Sequence, residues 1–315
     1  MATPVYKTAP LSDDDILYER EADKFDTDSF LCGMSKKRFF VVLNALAALF
    51  HLALLITTIA VTCNSDAKCG GPVVHTYETY LEFRPKSETS GFELYPKYEK
   101  NTESPIHLVA LPVTFFGLSC LAHITIAILA ACTNIYRDWL LTCQQPLRWV
   151  EYAFSASTMF IAIAYTSGIR DTNMIIALFI LMFCVITYGW VCEMLADRTV
   201  LTDHKTDTTW KIIVRLFPNI IGWVPYVAAY YIVLEQYMRV TETYKGNHLP
   251  EGNRMPPWVD YVVIGQCLVF TSFAIVSILQ QIWRSQWYYL GEIIYVILSF
   301  VSKGFLGLVS PSLPP

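Results

Sequence analysis

Long apolar stretches alternate with short polar ones along this chain, and that alternation sets its architecture. Seven apolar segments stand out: Phe39–Val61, Ile106–Thr133, Leu147–Ile169, Asn173–Leu195, Ile212–Gln236, Trp258–Ile282 and Tyr288–Val309. At about 1.5 Å of rise per residue, each is long enough to cross a hydrocarbon core of roughly 30 Å. An open backbone cannot cross lipid, so all seven are expected to be helices. The pattern therefore predicts an all-α, seven-transmembrane-helix bundle. The links between the third and fourth segments and between the sixth and seventh are very short, so those helices are antiparallel neighbours. No internal repeat is visible.

Polar stretches complete the plan. Residues 1–35 are acidic (SDDDILYEREADKFD), lack the apolar run of a signal peptide, and are expected to form a partly disordered cytoplasmic tail. Residues 36–309 form the membrane domain, with a long insert at 62–104 in which VVHTYETYLEF alternates enough for short strands, and 310–315 form a short extracellular tail. The Lys/Arg bias gives the orientation. Lys36, Lys37, Arg38, Arg137, Arg148, Arg198, Lys205, Lys211 and Arg284 fall on one side; Arg170, Arg239, Lys245 and Arg254 fall in the short loops of the other. This places the N-terminus inside and the C-terminus outside.

Composition agrees with a membrane protein. The chain of 315 residues is 54% hydrophobic and only 16% charged, against about 25% in soluble proteins. A net charge of −4 gives no sign of a nucleic-acid partner. Five cysteines inside apolar segments (Cys120, Cys132, Cys184, Cys192, Cys267) read as small packing residues. Cys63 and Cys69 flank a polar turn just beyond the first segment, where a disulfide is plausible in an oxidising space.

The candidate chemistry lies in the few polar residues inside the segments. Lys303 is near the far end of the last one, with apolar residues still beyond it. A lysine in hydrocarbon costs about 2.5–3.5 kcal/mol, so it needs a reason to be there. Condensation with an aldehyde is one; pairing with a carboxylate or lining a polar cavity is another. The third segment opens RWVEYAFSAS, placing Glu151, Ser155 and Thr158 on one face. Pairing Glu151 with Lys303 satisfies both charges, and a local Arg148–Glu151 pair is the alternative. Counted from the segment ends, the two side chains differ in depth by roughly 15 Å, which the backward lean of the lysine offsets only in part.

Ser299, one turn before Lys303, reaches the lysine nitrogen or bonds back to its own helix. His51 and His123, with Asn44 and Ser119 near them, form an inner polar cluster or serve as packing histidines. Glu193, Glu235 and Glu292 read as solvated helix ends. Pro218 and Pro225 should kink the fifth helix, and with Trp223, Tyr226, Tyr230, Phe270, Phe273 and Trp283 they suggest an aromatic slot for a flat polyene.

The motifs RWVEYAFSAS and SFVSKGFLG resemble those of the heliorhodopsins, retinal-binding seven-helix photoreceptors, and the resemblance runs from about Lys36 to Val309. It extends to the inverted orientation and the long first outer loop. It implies all-trans retinal on Lys303 as a protonated Schiff base, Glu151 as counterion, Ser155 and Ser299 around the nitrogen, and His51 and His123 as the inner cluster. It also implies a homodimer. Ion pumps usually carry a second carboxylate where this chain has Ser299, and proton pumps a donor where it has Ala162. A slow light sensor with a cytoplasmic signalling partner is therefore expected, rather than a pump or an enzyme. A light-gated proton conductor using Glu193 or Glu235 is the alternative. A zinc-dependent membrane hydrolase on His51, His107 and His123 is remote, since no HxxxH or HExxH spacing exists.

Overall fold

A computed structural model describes residues 13–64, 73–85, 92–102, 105–195, 209–244 and 258–309. Among these are seven long helices: α2 (Lys36–Asn64), α3 (Ala110–Cys132), α5 (Pro146–Thr166), α6 (Thr172–Leu195), α7 (Thr209–Tyr244), α8 (Trp258–Ile282) and α9 (Arg284–Val309). Two shorter helices, α1 (Asp13–Thr27) and α4 (Ile135–Leu141), lie at one end of the bundle. Six of the long helices are apolar enough to cross a membrane by themselves; α5 is not among them. Exposed side chains such as Leu46, Val224, Tyr261 and Leu268 form the apolar exterior. α7 continues through both of its prolines, Pro218 and Pro225.

α5 packs between α3 and α6 and against α8. It carries Arg148, Glu151, Ser155 and Ser157 yet buries all four, because its neighbours are protein. It begins with Pro at its first position, where the missing N–H costs nothing. It ends at Gly168, whose φ of +90° suits glycine, and a Cβ there would approach Val240 Cγ2 to 2.9 Å.

The insert is more ordered than its sequence suggests. Strands β4 (Tyr77–Pro85) and β5 (Phe92–Lys100) form an antiparallel hairpin in continuous register from Tyr77↔Lys100 to Pro85↔Phe92. A second pair, β3 (Val73–Val74) and β6 (Ile106–His107), anchors its base. The hairpin is tied to the α5–α6 turn: Tyr77 N–H donates to Arg170 O (2.9 Å), and the Thr79 hydroxyl donates to Asp171 Oδ2 (2.8 Å). The bundle thus has a hairpin end and an opposite, α4 end.

At the α4 end the structure describes part of the acidic tail. Residues 13–27 of it are a docked helix. A short lead, β1 (Ser29–Leu31) and β2 (Met34–Ser35), connects α1 to α2. Phe25 is 1% exposed and packs in a cluster with Phe40, Tyr136 and Tyr289. Around that contact Arg137 pairs with Asp26 (3.2 Å), and the Tyr18 hydroxyl donates to Asp138 Oδ1 (2.6 Å). One apolar anchor and two polar ties fix a helix whose composition looks unfoldable. Phe25→Ala should cost about 3–5 kcal/mol locally, by the cavity rule. The expected result is faster proteolysis within residues 13–27 with the bundle intact.

Cys120 and Cys192 are buried, Cys184 and Cys267 half-buried, and Cys132, against expectation, exposed at the end of α3. Cys69 and the 310–315 tail lie outside the described residues, so the proposed Cys63–Cys69 disulfide does too.

Candidate functional site

Lys303 lies in α9, 2% exposed, among residues of α3 and α5. Its Nζ donates to Glu151 Oε1 at 2.7 Å and to Ser119 Oγ at 2.5 Å. The Ser119 hydroxyl in turn donates to Glu151 Oε1 at 2.6 Å. Three helices therefore meet in one closed triangle of an amine, a carboxylate and a hydroxyl. A buried charge needs a partner of opposite sign and further hydrogen bonds; here Lys303 and Glu151 neutralise each other and Ser119 hydrogen-bonds to both. The Tyr152 ring lies 5.2 Å from the amine, and its hydroxyl donates to Tyr295 O (3.1 Å).

The expected depth mismatch does not arise, because α5 starts inside the protein. Gln145, just ahead of it, is 2% exposed, and its N–H donates to Glu193 Oε2 at 3.0 Å.

Arg148 does not pair with Glu151. It pairs instead with Glu193 of α6 and Glu292 of α9. Its guanidinium also stacks over Tyr295 (4.3 Å) and Trp149 (4.8 Å). Glu193 and Glu292 are consequently buried, at 1% and 5% exposure, and the expectation of solvated ends fails for both. Gln280 Nε2 adds a donor to Glu292 Oε1 (3.2 Å). Glu235 is as expected: it stays at the surface, accepting from Arg239 (2.5 Å).

The histidines form a pair. The rings of His51 and His123 stack with centroids 5.4 Å apart. His123 Nδ1 bonds Asn44 Oδ1 (2.8 Å) and His51 Nδ1 bonds Ala47 O (2.8 Å), while His51 Nε2 has no partner. Ser119 belongs to the amine rather than to this pair. His107 lies in β6, away from both, and among the described residues no three His, Cys, Asp or Glu side chains gather as metal ligands.

From the amine an apolar slot runs between α5, α6, α7 and α8. Met159, Met182, Trp223, Tyr226, Phe270 and Phe273 line it, and Lys303 closes one end. Ser155 and Ser299 also face it, each buried with a hydroxyl that has no partner. Gly189 lets the Trp149 ring form a wall, since a Cβ there would come within 2.5 Å of it. Two aromatic expectations and one polar one are not met. Tyr230 packs behind Tyr226 (4.9 Å) rather than on the slot, Trp283 is 48% exposed at the end of α8, and the Thr158 hydroxyl bonds back to Phe154 O (2.9 Å) instead of joining the polar face. Tyr152 and Ser119 as neighbours of the amine were not foreseen.

An elongated apolar slot ending on a buried amine, inside seven helices, defines an integral membrane protein of the rhodopsin class. A family model described as Heliorhodopsin matches residues 40–309, and the chain belongs to the heliorhodopsin family. Membership implies a retinal-binding, light-sensing membrane rhodopsin. No curated protein matches the chain. The residues present fit retinal: the slot is apolar and rich in aromatic rings, and the Lys303 amine and two buried hydroxyls, of Ser155 and Ser299, are in its lining.

Proposed function

We propose that this chain is a light sensor whose chromophore is joined to Lys303 as a protonated Schiff base, with Glu151 as the counterion. The observation that carries this reading is that Lys303, held by Glu151 and Ser119 in a buried triangle, also lines the slot. Retinal supplies the aldehyde that condenses with the amine and a double bond that isomerises in light. The protein does the rest. Glu151 holds the positive charge at Lys303 Nζ, and Ser119 fixes the carboxylate oxygen that faces it. When that contact is disturbed, the proton leaves Nζ for the His51/His123 pair, where His51 Nε2 is an acceptor with no other partner.

Sensing is favoured over proton conduction by what surrounds the amine. The position one turn before it is Ser299, not a carboxylate, and Glu193 is already held by Arg148 and by the Gln145 N–H. We further place the α4 end in the cytoplasm, since Lys36, Lys37, Arg38 and Arg137 cluster there. A changed surface at that end, including docked α1, would then be what a signalling partner reads.

Glu151→Gln tests the assignment. The expected outcome is a displaced absorption band, or its passage into the near ultraviolet as the proton is lost, with Glu151→Asp closer to the original. A spectrum unchanged by Glu151→Gln would reject Glu151 as counterion. Photocurrent from the unmodified protein in a voltage-clamped cell would favour conduction instead.

A further inference from the structure

A second cavity lies at the hairpin end of the bundle, beyond the site just described. It is lined by α3, α5, α8 and α9, and its walls are apolar: Phe115, Ala162, Val262 and Leu306 are among them. Its polar groups are concentrated in Tyr165 and Arg170. Tyr165 is 2% exposed, yet its hydroxyl has no hydrogen-bond partner. Thr166, also in the wall, has already given its hydroxyl to Ile163 O (2.7 Å).

Arg170 is half-buried, and its Nη1 donates to the carbonyls of Tyr165 (2.9 Å) and Ile169 (3.3 Å) while the guanidinium lies 5.3 Å from the Tyr165 ring. Among the described residues no carboxylate pairs with it. The adjacent Asp171 is committed elsewhere, accepting from the Met174 N–H (2.9 Å) and the Thr79 hydroxyl (2.8 Å). Burial pulls the Arg170 pKa down, and only Tyr165 and Tyr77, not a carboxylate, act against it. An unpaired guanidinium and an unpartnered hydroxyl beside an apolar hollow are costly features with no structural reward inside the chain.

The geometry points to a binding site for a small amphipathic carboxylate, its head on Arg170 and the Tyr165 hydroxyl and its apolar body against Phe115 and Leu306. A guanidinium presents two parallel donors that match a carboxylate, and a phenol adds a third. An inorganic anion would leave the apolar walls unused, and a neutral lipid would leave the cation unpaired. This site is independent of the chromophore, and it has its own readout.

The probe is octanoate labelled with ¹³C at the carboxyl, titrated by NMR into the full-length protein in phosphatidylcholine nanodiscs, with empty nanodiscs subtracted. Saturable binding is expected, with octanol and acetate weaker by about tenfold or more, the scale of a lost charged hydrogen bond. Arg170→Gln should weaken octanoate by a similar factor, about tenfold, while Arg170→Lys keeps most of the binding. Leu306→Trp, which fills the cavity and leaves the arginine in place, should abolish it. Circular dichroism and gel filtration establish that each variant is folded. Should Arg170→Gln fail to fold, Tyr165→Phe and Leu306→Trp decide the matter alone. No saturable octanoate binding, octanol binding equally well, or unchanged affinity in folded Arg170→Gln or Leu306→Trp protein would overturn the assignment.

Discussion

Replacing Lys303 by alanine is expected to give a protein that remains colourless when all-trans retinal is added, at any concentration that colours the unmodified chain. The slot and its aromatic walls are untouched by the change, so apolar binding should persist while the covalent link is lost. Two effects would follow from one substitution, because Glu151 would also be left buried without its cation (2.7 Å in the intact protein). A folding defect is separable from a missing attachment point. If the slot survives, retinal pre-condensed with a small alkylamine should enter it, place its nitrogen beside Glu151 and restore a visible band. Colour formed by free retinal in Lys303→Ala protein would defeat the assignment of the attachment site.

The second large effect is expected at Arg148, and it concerns stability rather than colour. Arg148→Leu leaves Glu193 and Glu292 buried with no cation between them. Removing one partner of a buried ion pair costs about 3–5 kcal/mol, and here two acids lose the same partner. The variant should lose its fold well below the temperature at which the unmodified protein does. Adding Glu193→Gln and Glu292→Gln to it should recover much of the loss, since neutral amides need no cation. The absorption band of any folded fraction should barely move. Had Arg148 been the partner of Glu151, as its position one turn away suggests, the outcome would be reversed: a large spectral change with a small loss of stability. Thermal inactivation followed at the visible band measures both.

The seven long helices and the central pair were legible for the same reason. Hydrocarbon penalises polar groups, so the few that remain inside a span are conspicuous, and Lys303 and Glu151 are two of them. What was illegible was the choice among partners. Arg148, Glu193 and Glu292 are separated by 45 and 144 residues, and nothing in a linear pattern says that three helices bring them together. Local spacing offered Arg148 only Glu151, as the alternative to the Lys303 pair, and helix-end position favoured water for both Glu193 and Glu292. Ser119 was noticed only as a neighbour of His123, one turn along the same helix, whereas packing turned it toward the amine. α1 was missed because its mean composition is that of a solvated tail, and its docking depends on Phe25 meeting an aromatic cluster from α2, α4 and α9. The hairpin was visible only as weak alternation, because the partner strand of β4 follows residues 86–91 and the contact that ties β4 to the bundle, at Asp171, is some 90 residues away.

That α5 falls short of the apolarity of the other six helices has a consequence for how the protein is made. A nascent segment carrying Arg148 and Glu151 would meet the bilayer before its charges have anything to answer them. Glu193 emerges from the ribosome one helix later, but Glu292 and Lys303 come only with the last. Until α9 is made, this helix must wait at the interface or shelter in the insertion machinery. Chains truncated ahead of α9 should therefore be recognised as incomplete and degraded, and the centre around Lys303 comes together only when α9 joins the bundle.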